Sequence, residues 1–187
     1  TSTLLTIKRR YEVCDVSCCI INHIDDKRYH DTLLATHDLQ MVKSMNIKKL
    51  KILCNGEMVK RFDVFLINEG QFFEDLFETI IELVEKHKKK VYVCGLNGDY
   101  KRDKFGTIVD LIPYCNSLKK LNALCKLCKN GKKGIFTYRV SSEKNQKQIG
   151  SDNYMPLCRK CYLKKNLNWY FFFFNIMIKK KRGRKPK

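Results

Sequence analysis

The run Asp63-Val64-Phe65-Leu66-Ile67-Asn68-Glu69-Gly70-Gln71-Phe72-Phe73 constrains this chain more than any other stretch. Successive apolar residues with no polar partner between them suit a strand buried on both faces, the pattern of a parallel sheet. The run stops at an amide, a carboxylate and a glycine. Phe72, Phe73, Leu76, Phe77, Ile80, Ile81 and Val84 then recur at helical spacing, so a helix is predicted from Gln71 to Lys90. Its end, His87-Lys88-Lys89-Lys90, suits a negative helix C-terminus. Val91–Leu96 reads as the next strand, and Asn97-Gly98-Asp99 ends it with a turn signal. Strand, helix and strand imply a βαβ unit on a parallel sheet, and hence an α/β fold. In such sheets ligands bind beyond the carboxyl ends of the strands, which is where Glu69 stands. Glu69 either does chemistry there or favours the N-terminus of the next helix. The segment alone leaves both readings open.

The remaining pattern fits one core with an appendage. Residues 2–13 read as an amphipathic helix and 17–24 as a buried strand. Residues 25–48 are polar, with Thr36-His37-Asp38 in their middle, and Leu50–Cys54 is a further strand candidate. The first residue is Thr1, and a helix that begins so abruptly implies a segment removed upstream. Organisation changes near Cys125. Beyond Asn166 lies an apolar stretch, Trp169 to Ile178, too short to span a bilayer, and then the basic run Lys179–Lys187. That run reads either as a nucleic-acid or nuclear-localisation patch or as a neutral, disordered low-complexity tail.

The formal charge is +19, with 38 Lys and Arg against 19 Asp and Glu. Such an excess points to an anionic partner, unless it only solvates a lysine-rich surface. The ten cysteines do not form a secreted disulfide framework. Six lie in or beside strand-like apolar runs, where reduced cysteine acts as a small core residue. That usage suggests a reducing compartment, the cytoplasm. The other four form two C-x-x-C pairs, Cys125/Cys128 and Cys158/Cys161. Two such turns complete a tetrahedron around one metal ion, with Zn²⁺ the default and a structural role implied by four protein ligands. Redox pairs are the alternative.

Together these residues resemble the zinc-containing thymidine kinases of animals, bacteria and poxviruses, over about residues 1–165. Asn68 to Phe73 match that family's Asp-Glu-Gly-Gln-Phe-Phe. Leu96 to Phe105 match a Leu-Asp-Gly-Thr-Phe-Gln-Arg-Lys-Pro-Phe, and Lys120 to Cys128 match Lys-Leu-Thr-Ala-x-Cys-x-x-Cys. Ile149-Gly150-Ser151, Tyr154 and Cys158-Arg159-Lys160-Cys161-Tyr162 match the family's Ile-Gly-Gly, Tyr and Cys-Arg-x-Cys-Tyr. Thr36-His37-Asp38 matches its Thr-His-Asp.

The resemblance implies a P-loop-type parallel sheet with helices on both faces, residues 1–124. A zinc-binding lasso domain would follow at 125–165, and a tail at 166–187. It implies transfer of phosphate from ATP, with Mg²⁺, to thymidine, by a cytoplasmic homotetramer with no membrane segment. Glu69 is implied as the base. Thr1, Asn68, Gln71 and Asp38 would lie at the nucleotide and its metal. Phe72, Leu96, Tyr100, Phe105, Thr137, Arg139, Gly150 and Tyr154 would surround the nucleoside. Cys125, Cys128, Cys158 and Cys161 would hold zinc. Two departures stand out: Asn68 replaces the family's Asp, and Leu39 replaces an Arg. Of the phosphate loop only the last position, Thr1, is present, so residues 1–187 alone are expected to be inactive. The competing reading from a different class is a zinc-stabilised nucleic-acid binder using the basic tail, and a third is a C-x-x-C redox protein.

Overall fold

The structure is a computed structural model that describes residues 2–26, 33–35, 41–141 and 153–166. It divides into two compact units. The first comprises Thr1–Asp99 and Asp103–Leu118, and the second Tyr100–Arg102 and Lys119–Lys187.

The first unit opens with helix α1 (Ser2–Glu12) and strand β1 (Cys18–His23). A short antiparallel pair follows, β2 (Leu33–Ala35) with β3 (Met41–Lys43), then strand β4 (Met45–Ile47). Helix α2 (Gly56–Arg61), strand β5 (Val64–Ile67), helix α3 (Leu76–Ile81) and strand β6 (Lys90–Val93) complete the core. The main sheet has the order β4-β1-β5-β6, with every pairing parallel. The α/β expectation is met, and its central βαβ unit is β5–α3–β6.

Strand alternation sorts the side chains of β5 onto two faces. Phe65 and Ile67 join Cys19, Ile21, Leu50, Leu53, Phe73, Leu76 and Leu83 in one cluster. Val64 and Leu66 join Ile20 and, from α1, Leu4 and Leu5 in the other. All four β5 side chains are fully buried. A strand covered on both faces has no polar position, which is why its sequence is a continuous apolar run.

Local details depart from the periodicity. Leu50–Cys54 is a 3-10 helix rather than a strand. Its buried residues, Leu50 and Leu53, are three apart, and Asp75 accepts the backbone N–H groups of Leu50 (3.1 Å) and Lys51 (2.9 Å). The helix expected from Gln71 to Lys90 is broken. A 3-10 turn at Gly70–Phe72 comes first, α3 starts at Leu76, and the chain then widens into a π-turn at Glu82–Lys86. Asp75, the residue just before α3, is spent on the Leu50 turn, and Phe73 turns inward to be buried. Strand β6 ends at Val93, short of the expected Leu96. Strand β4 lies in a segment that reads as polar, because its three half-buried residues carry Asn46 at their centre.

The second unit is built from short antiparallel pairs: β7 (Ala123–Leu124) with β8 (Lys133–Gly134), and β9 (Phe136–Arg139) with β10 (Tyr154–Leu157). A helix follows over residues 159–166. Its small core is Cys125, Leu157, Cys158 and Tyr162. The apolar and basic tail beyond residue 166 lies outside the described residues.

Candidate active site and metal centre

At the end of β5 the chain must leave the sheet within a residue or two. Gly70 permits this: a Cβ there would come 2.6 Å from Val93 Cγ1. Glu69 adopts the left-handed backbone conformation, φ 51°, to make the turn. For a non-glycine residue that costs roughly 1–2 kcal/mol, and strain of this kind collects at functional sites. The Glu69 side chain is then fixed by Gln71, whose Nε2 donates to Glu69 Oε2 at 2.6 Å. Gln71 is itself buried, and its Oε1 accepts the Leu96 N–H at 2.9 Å. A relay of backbone amide, buried carboxamide and carboxylate thus orients Glu69.

Close packing holds Gln71 in place. A Cβ on Gly95 would lie 2.3 Å from Gln71 Oε1, and one on Gly106 would lie 2.5 Å from the Gln71 carbonyl oxygen. Beside this relay stands an aromatic cluster. Phe72 meets Phe105 edge-on at 5.7 Å, and His23 packs against Phe72 at 5.8 Å and Phe73 at 4.8 Å. The Asp25 backbone N–H donates to His23 Nδ1 at 3.2 Å.

Asn68 is buried one residue before Glu69. Its Nδ2 donates to Asn22 Oδ1 at 3.0 Å, and its Oδ1 accepts the Cys94 thiol at 3.2 Å. Burial pushes the Cys94 thiol above its ordinary pKa. In the sequence Asn22 and His23 read only as part of a buried strand, and Cys94 only as a small core residue beside one. The signal was there in the first two: Asn22-His23 ends the apolar run of β1 as Asn68-Glu69 ends that of β5. Parallel pairing of Ile21 with Ile67 brings the two ends side by side.

In the second unit the four C-x-x-C sulfurs converge, all within 4.8 Å of one another. A tetrahedron with Zn–S bonds of about 2.3 Å has S···S edges of about 3.8 Å, so the group fits Zn²⁺. Backbone N–H groups of the knuckle, that of Cys128 first, lower the Cys125 thiol to about 6. Burial, and after it the neighbouring thiols, push Cys161 up to about 12. Four thiols gathered this closely cannot all ionise without a cation among them. The same unit holds Arg139 buried, its guanidinium 3.9 Å over the Tyr100 ring and its Nη2 2.6 Å from the Tyr154 hydroxyl. Tyr162, next to Cys161, donates its hydroxyl to the Tyr100 carbonyl at 2.7 Å.

A family model described as thymidine kinase matches residues 1–162. The chain belongs to the thymidine kinase family. It is 38% identical over 148 residues to a thymidine kinase of Oryza sativa subsp. japonica, covering 77% of this chain and 54% of the relative. It is 34% identical over 166 residues to a cytosolic thymidine kinase of Bos taurus, covering 88% of this chain and 67% of the relative. A thymidine kinase of Variola virus is 36% identical over 165 residues, with 87% and 89% covered. The chain thus spans about half the length of the rice relative and most of the viral one.

The residues that the thymidine kinase resemblance singles out fall into two described groups. Asn68, Glu69, Gln71, Phe72, Leu96 and Phe105 gather at the carboxyl end of β5 in the first unit, joined by the contacts above. Tyr100, Arg139 and Tyr154 gather in the second, with Thr137 two residues before Arg139 on β9 and opposite Pro156. Thr1, Asp38 and Gly150 lie outside the described residues. No helix among the described residues is long and apolar enough to cross a membrane.

Proposed function

We propose that this chain serves the transfer of the γ-phosphoryl group of ATP to the 5′-hydroxyl of thymidine, with Glu69 as the base. The observation that carries the reading is the Leu96–Gln71–Glu69 relay at the carboxyl end of a central parallel strand. General bases act through a carboxylate held in one orientation within hydrogen-bond reach of the proton they take. Gln71 supplies that orientation, and its own burial keeps it from turning away. In an in-line transfer the substrate hydroxyl loses its proton to Glu69 as its oxygen attacks phosphorus. Phe72 and Phe105 offer flat apolar faces to a base ring. Tyr100 and Tyr154, clamped by Arg139, are the corresponding groups of the zinc unit.

ATP is proposed to enter with Mg²⁺, which supplies neutralisation of the triphosphate charge when bound. The described side chains beside Asn68 do not by themselves fit that ion. Asn68 is neutral, and its amide is already bonded to Asn22 and Cys94, whereas Mg²⁺ selects carboxylates, phosphates and water. The four cysteines fit structural zinc, which leaves the reaction to the first unit's residues. A homotetramer and a cytoplasmic location complete the reading, supported by the resemblance and, for the location, by the name of the bovine relative.

Calorimetric titration with thymidine, together with dTMP formation from radiolabelled thymidine and ATP, tests the proposal. Saturable thymidine binding is expected, and its absence together with absence of dTMP overturns the reading. Glu69→Gln is expected to lower the rate by roughly 10²–10⁴ with thymidine affinity little changed. Equal rates would remove Glu69 as the base.

A further inference from the structure

Charge is not spread evenly along this chain. The first unit carries 16 Lys and Arg against 17 Asp and Glu, and the zinc unit 22 against 2. The whole excess of +19 therefore resides in the zinc unit and its tail. A lysine-rich coding bias would raise both units alike, and it would not strip the carboxylates from one of them. Among the described residues of the zinc unit there are 13 Lys and Arg and no Asp or Glu, and all the cations except Arg139 are exposed. Four thiolates around Zn²⁺ leave about two negative charges. Balancing the metal centre thus uses only a small part of these cations.

Part of this surface is organised. Arg102, in the left-handed conformation at φ 76°, lays its guanidinium over Phe136 (5.6 Å) and Tyr162 (5.1 Å). Arg159, between the second pair of zinc ligands, lies over the same Phe136 ring at 4.9 Å. A guanidinium lodged beside an aromatic ring and exposed to solvent can turn N–H groups outward to fork onto phosphate oxygens or base edges. Lys126, Lys129, Lys132 and Lys133 follow along the first knuckle and its hairpin, all exposed.

We propose that the exposed cationic surface of the zinc unit binds single-stranded nucleic acid. Such surfaces pair a track of cations for the backbone with aromatic and guanidinium planes on which bases stack. Phe136 is covered by the two arginines and Tyr162, so the guanidinium planes of exposed Arg102 and Arg159 supply the second element. An anionic membrane is the poorer fit. Membrane surfaces are gripped by amphipathic helices, and the exposed Leu121 and Leu124 here stand in extended chain and the two-residue strand β7.

The test is fluorescence anisotropy of a labelled oligo(dC) of about 20 nucleotides, titrated with the full chain between about 50 and 300 mM salt. Log–log salt slopes for single strands run at about −0.7 per phosphate contact. The triple variant Arg102→Gln, Arg159→Gln, Lys160→Gln is expected to flatten the slope by about 2 and to weaken binding at least tenfold near 100 mM salt. Zinc content of one per chain certifies that the variant is folded. Glu69→Gln should bind the oligonucleotide as the parent does, so failure of the kinase reading leaves this result standing. Binding unchanged in the triple variant overturns the proposal, as does binding abolished by deleting residues 179–187. Tighter binding to phosphatidylserine vesicles than to the oligonucleotide also overturns it, in favour of a membrane surface.

Discussion

Substituting Gly95 by alanine examines the construction of the candidate active site directly. The new Cβ would sit 2.3 Å from Gln71 Oε1, 3.0 Å from Ile108 Cδ1 and 3.1 Å from the Gly70 backbone nitrogen. The last of these is backbone and yields little, so the Gln71 carboxamide must move. Moving it breaks the bond from the Leu96 N–H and loosens the bond to Glu69. Overpacking of this kind costs roughly 1–3 kcal/mol, and one buried polar group left unpaired costs roughly 1–3 kcal/mol more. The expected loss is therefore about 2–6 kcal/mol, read from urea unfolding followed by far-ultraviolet circular dichroism. A double-mutant cycle isolates the cause. With Gln71→Ala already present, the clashing oxygen is gone and the Leu96 N–H is already unpaired, so Gly95→Ala should cost less than it does alone, by about 2 kcal/mol or more. Strict additivity, or a single variant as stable as the parent, refutes the reasoning.

Three further outcomes are expected. Arg139→Met leaves the Tyr100 ring and the Tyr154 hydroxyl without their guanidinium and should cost the zinc unit roughly 1–3 kcal/mol in a thermal melt of zinc-loaded protein. Arg139→Lys should recover little of it, because a point charge neither stacks nor forks. Chelation should release one zinc per chain and erase the near-ultraviolet signal of Tyr138 and Tyr162, which pack on the cysteine cluster, while the first unit's unfolding stays in place; a metal-free chain with the same signal counts against the site. Burial raises the Cys19 thiol from 9.0 to about 11. The folded state thus favours the protonated thiol, so its contribution is complete below about pH 9 and is lost as the pH climbs through about 11. Cys19→Ala should flatten the stability profile across that window, and an identical slope in parent and variant would contradict the assignment.

The apolar run Val64–Ile67 was legible as a doubly covered strand because burial on both faces leaves its mark on every residue. The C-x-x-C pairs were legible because metal ligands must recur at the spacing of a tight turn. Leu50–Cys54 was not legible. Its two leucines satisfy a strand or a 3-10 turn equally, and the deciding group, Asp75, lies some twenty-five residues away. Asn22 and Cys94 carry no mark of a site in the sequence for the same reason: Asn22 reads as part of a buried strand and Cys94 as a small core residue, until folding sets each beside Asn68.

Residue order by itself determined the fold class, the place of Glu69 at a strand end and the four cysteines that converge into one metal-competent cluster, since each follows from periodicity or local spacing. Only the tertiary structure decided how Glu69 is held. Three glycines, Gly70, Gly95 and Gly106, lie far apart in sequence, and each removes a Cβ at a point where chain segments close on one another around Gln71. Tertiary structure likewise decided which cations of the second unit stand exposed and that Arg139 alone among the described ones is buried. Charge is counted along a sequence, but it acts through the surface onto which folding gathers it.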